Sequence, residues 1–62
     1  MTPRFESEWV ERFVRKLIAL GMPGPVEELR RLGWELYTDL NAALPEDVAQ
    51  LEWQESAHRQ QH

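Results

Sequence analysis

The sequence predicts an all-α fold, an antiparallel helical hairpin followed by a shorter third helix, the whole assembling into a helical bundle. Three observations predict it. Leu29, Leu32, Leu36, Leu40 and Ala43 recur at three- and four-residue steps within Pro25–Leu44, the period of one helix face. A second periodic segment runs from Phe5 to Leu20. The Gly21–Pro25 cluster and Pro45 divide the chain into three parts, and no stretch alternates as a half-buried strand would.

The first helix is expected to open at Thr2-Pro3. Thr2 can accept a bond from an orphan amide, and Pro3 has no N–H to lose at the first helical position. Phe5, Trp9, Phe13, Leu17 and Leu20 form one stripe, with Val10, Val14 and Ile18 beside it. This arc is wider than one neighbouring helix needs. Glu8–Arg12 and Glu11–Arg15 stand at i,i+4 in the favourable order. Gly21 suits the left-handed residue that ends a helix, Met22 can fold back on Leu17, and Pro23 blocks continuation.

The second helix is read from Pro25, at its first position, to Leu44, with Leu36 at the centre of its stripe. Val26, Tyr37 and Leu44 widen that side, and Glu27–Arg31 adds another i,i+4 pair. Gly33 lies on the apolar side. It either admits a close helix backbone or leaves space for a bulky neighbour such as Trp9 or Phe13. A short Gly21–Gly24 connection makes the two helices antiparallel.

Pro45 disfavours a helical Leu44, so the preferred reading starts a third helix at Pro45-Glu46-Asp47, acids at its N-terminal end. The alternative is one helix kinked at Pro45, since Leu40, Leu44, Val48 and Leu51 continue a single stripe. Trp53 falls off that stripe with Ala49 and Ala57. Residues 1–57 read as a single small helical domain, and 58–62 as a polar, frayed tail.

Sixty-two residues make one small domain, for which a single core supplies only about 3–5 kcal/mol. There are no cysteines, so disulfides and thiolate metal sites are excluded. The net charge of −4 disfavours a simple nucleic-acid or anionic-membrane ligand. Charge is graded: residues 1–22 carry +1, residues 23–44 carry −2 and residues 45–62 carry −3. The longest apolar run, Leu17–Leu20, is too short to span a bilayer, and Met1–Trp9 lacks the apolar core of a signal peptide. A soluble, cytoplasmic chain is the expectation.

Chemistry finds little purchase in this sequence. His58 and His62 have zinc spacing, with Glu55 in reach, but a terminal polar segment lacks what holds ligands in place. Ser7 and Ser56 belong to no ordered motif with a histidine. Arg12, Arg15, Lys16, Arg30 and Arg31 flank the hairpin as a degenerate helix-turn-helix would require, yet three of them have acids at helical spacing. The expectation is therefore no catalytic residue, no cofactor and no metal.

Protein association is the function class left. Val10, Val14 and Ile18 are expected to form a free apolar strip on one flank of the first helix, pairing with its own copy in a two-fold homodimer. Trp34, at the edge of the second stripe, and Trp53 are candidate interface anchors, since tryptophan is enriched at hot spots. Two alternatives stay open: a monomeric three-helix module whose third helix covers the strip and which docks on a different protein, and a small nucleic-acid-binding regulator.

Overall fold

The computed structural model describes residues 3–59, with side chains described over 6–57. Thr2, residues 60–62 and the side chains of Phe5 and His58 therefore lie outside the described residues, and with them the expected cap and the histidine pair. The fold is three helices without a strand among the described residues: α1 (Pro3–Leu20), α2 (Val26–Leu40) and α3 (Pro45–Arg59). No helix among them is long and apolar enough to cross a membrane.

The end of α1 follows from its glycine. Gly21 takes φ +98°, its N–H donates to the Ile18 carbonyl at 3.0 Å and the Met22 N–H to the Leu17 carbonyl at 3.0 Å. These two bonds define a Schellman cap, and Met22 folds back against the core. Pro25 then stands one position before α2, in extended geometry (φ −70°, ψ 145°), its carbonyl accepting from the Glu28 N–H.

The second boundary falls earlier than expected. α2 stops at Leu40, and Ala43 and Leu44 belong to the connection, not to the helix. Two forces favour the exit. Pro45 excludes a helical Leu44, and the freed Leu44 carbonyl caps α3 by accepting from Asp47 and Val48. The Ala43 carbonyl, also free of the helix, accepts the Trp9 indole N–H at 2.9 Å. The break at Pro45 is real, and α3 is as long as α2, 15 residues each.

The helices run up, down and up. Arg30 pairs with Glu11 and Tyr37 meets Trp9, so α2 is antiparallel to α1. Glu46 pairs with Arg12, while Trp53 lies beside Gly21, Met22 and Pro23, so α3 runs with α1. The core is Trp9, Val10, Phe13, Val14 and Leu17 of α1 with Leu29, Val48 and Ala49. Both α2 and α3 pack on α1 and barely touch each other. The ion pairs mark where each sits: α2 on the edge of α1 carrying Glu11, α3 on the edge carrying Arg12. With so little contact between them, α2 and α3 splay on α1 and leave a furrow between them.

This placement answers two expectations. Gly33 packs on Val10 and Phe13: a Cβ there would stand 3.0 Å from Phe13 Cδ2 and 3.1 Å from Val10 Cγ1. The glycine makes space for side chains, Phe13 above all. Leu29 and Gly33 are buried and lie at the centre of α2's inner face, whereas Leu36 is only half-buried, towards α3.

Candidate docking surface

The expected free strip does not exist as such. Val10 is 1% exposed and Val14 3% exposed, both inside the chain's own core. The physical reason is the width of α1's apolar arc: it serves two neighbours at once, and Val10 lies in the seam with α2, against Gly33. Ile18 remains exposed. Trp34 is exposed as well, at the end of an aromatic row in which it meets Tyr37 edge-on (centroids 6.4 Å), Tyr37 meets Trp9 edge-on (5.5 Å) and Trp9 stacks on Phe13 (5.7 Å). Trp53 is half-buried against the core, beside the Gly21–Pro23 turn.

A different apolar surface emerges along the furrow between α2 and α3. Helical register places Leu32 and Leu36 on the side of α2 turned towards α3. On α3 it places Val48 and Leu51 on the side turned towards α2, with Leu44 just before the helix in the same line. Val48 is buried and Leu32 and Leu36 are half-buried, so they form the lower walls. Leu44 is 58% exposed and Leu51 61% exposed, with Leu40 exposed at the connection end. These are the rim. The sequence signal was the Leu40–Leu44–Val48–Leu51 stripe, which the chain reversal divides between the last residue of α2, the connection and α3.

The furrow's borders are acidic. Glu28 lies one turn before Leu32, and Asp39 three residues after Leu36. Asp47 and Glu55 bracket Leu51 at four residues on either side, and Glu52 follows Val48 by four. The cations lie elsewhere among the described side chains. Arg12 makes a two-pronged contact with Glu46 (Nε to Oε2 2.8 Å, Nη2 to Oε1 2.9 Å), and Arg30 Nη2 reaches Glu11 Oε2 at 2.9 Å. Arg15 and Lys16 line a shallow open depression on the outer side of α1 with Glu8, Glu11, Arg12, Ala19 and Glu46. Arg31 stands about 160° around α2 from the buried Gly33.

These ion pairs differ from the i,i+4 pairs expected for Arg12 and Glu11. The Arg12 guanidinium gains two aligned bonds from Glu46 across the helix seam. The hydrogen bonds from Arg12 hold the Glu46 carboxyl below the usual carboxylate range, and partial burial opposes that shift. Arg12 is correspondingly raised, first by the same bonds and then by the Glu46 charge.

No family model, curated protein or solved structure matches the chain.

Proposed function

We propose that this chain is a non-enzymatic, three-helix module that docks on a different protein through the furrow between α2 and α3. The observation carrying this reading is the line of exposed leucines, Leu40, Leu44 and Leu51, above half-buried Leu32 and Leu36. Single exposed apolar residues need no explanation, but a contiguous line along an open helical seam is the surface a partner covers. The two-fold dimer through Val10, Val14 and Ile18 loses its motive, because two of its three residues are already covered by the chain itself.

The test is differential capture. The wild-type chain and a Leu44→Ser/Leu51→Ser double variant are used as baits in a lysate of the native cell. A protein held by the wild type and released by the variant is then purified. Its affinity should fall about tenfold or more with Leu51→Ser alone, the effect of removing one buried leucine. Equal retention of every captured protein by both baits would remove the furrow from the function.

A further inference from the structure

Taking that docking role as given, we infer that the partner presents a basic amphipathic helix, a leucine-type stripe flanked by Lys and Arg, which lies in the furrow as the fourth helix of a bundle. The shape of the furrow calls for a helix. Its two walls are themselves helices of 15 residues packed on a common third, and the position opposite α1 is the one a fourth helix fills in such bundles. From Leu44 to Leu51 the apolar line runs seven residues, about 10.5 Å, or two helical turns. A stripe repeating at i, i+3 or i+4, and i+7 matches that length.

Charge selects among helices. Glu28 and Asp39 border the furrow on α2, and Asp47 and Glu52 border it on α3. Of the described cations, Arg12 and Arg30 are engaged in ion pairs with Glu46 and Glu11, Arg15 and Lys16 lie on the outer side of α1, and Arg31 stands about 160° around α2 from the buried Gly33. A helix entering the furrow therefore meets acids on both flanks, and Lys or Arg beside its stripe is steered and held while Asp or Glu is repelled. The same borders oppose a second copy of this chain at low ionic strength. A two-fold pairing of furrows would set like acids against each other. The outer side of a copy's α1 sets three acids beside its three cations and offers only Ala19 as an apolar residue among those lining its depression, so it has no basic stripe to insert.

The experiment is a displayed library of helices of about 18 residues, about 27 Å long. It has a fixed leucine stripe and fully randomised flanking positions. Selection is on the wild-type chain, with counter-selection on the Leu44→Ser/Leu51→Ser variant. The expected binders are enriched in Lys and Arg at the flanks. They weaken about tenfold or more on Leu51→Ser, and about two- to fivefold on Asp39→Lys. They also weaken with added salt. Both substituted side chains are exposed, and thermal melts of each variant by circular dichroism are run alongside, with Leu44→Ser as a second variant should Leu51→Ser melt early. Binders that respond to Leu51→Ser but carry neutral or acidic flanks would overturn the basic partner and leave the docking furrow standing. A selection yielding no binder sensitive to either leucine would overturn both.

Discussion

A methyl group added at Gly33 would stand 3.0 Å from a ring carbon of Phe13, a residue with no exposed surface. Alanine would strengthen α2 by about 1 kcal/mol in propensity. Overpacking a closed core costs about 1–3 kcal/mol. Phe13 and Val10 are both fully buried, so the few tenths of an ångström needed must come from the packed α1–α2 seam, and the second effect is expected to win. Gly33→Ala should lower stability by about 1 kcal/mol in urea unfolding. A gain in stability would mean that the α1–α2 seam relaxes. Val14 makes the complementary case. A carboxylate at this buried position has no cation inside the core to pair with. Such a charge costs about 3–5 kcal/mol, the whole stability of a domain this size. Val14→Glu should therefore lose its cooperative melt in far-UV circular dichroism, and a folded variant would put Val14 on the outside after all.

At the scale of the elements, α1 is a helix with two customers, and that division was the hard part to read. Its apolar arc, the glycine stop at Gly21 and the restart at Pro45 are local facts, each set by backbone sterics or by period, and they were legible in the chain. Which half of the arc meets which neighbour is not local. It depends on Phe13 and Val10 meeting Gly33, and on Trp9 reaching the Ala43 carbonyl 34 residues away. The same bond draws residues 41–44 out of the periodic stripe that ended at Leu44 on paper. Charge pairing was misread for a similar reason, since Glu46 offers Arg12 two bonds across a seam that helical spacing does not reveal. The exposed leucines were visible as a stripe, but only the splay of α2 from α3 makes them a furrow.

The Arg12–Glu46 clasp also fixes how α3 responds to acid. The Glu46 carboxyl titrates below the ordinary range in the folded chain, chiefly because Arg12 donates to it. A lowered folded value means that the clasp contributes fully above the unfolded glutamate value of about 4.3 and is lost as pH falls through the lower folded value. Glu46→Gln keeps the shape and removes the charge. The stability gap between wild type and variant should hold steady from about pH 8 to 5 and close progressively below about pH 4, followed by urea unfolding at each pH. A gap that widens on acidification would contradict the clasp.

For the whole molecule, what decides the oligomeric state is the balance between exposed leucines and the acids beside them. Val10 and Val14 are spent in the core, and Ile18, Val26 and Trp34 are exposed on helices joined by the Glu11–Arg30 ion pair, not in the furrow. The furrow is a line of apolar surface open to a copy, and its borders oppose that copy at low ionic strength. The chain should sediment at 7.4 kDa from micromolar to submillimolar concentration in dilute buffer. Salt tests the balance directly. At about 1 M the screening length falls to about 3 Å, shorter than the spacing between facing acids, while apolar association is not weakened. Dimer should then accumulate in the wild type and be absent from Leu44→Ser/Leu51→Ser, measured by sedimentation equilibrium across a salt series. A dimer already present in dilute buffer and indifferent to both leucines would instead locate self-association on the Ile18 and Trp34 side of the hairpin.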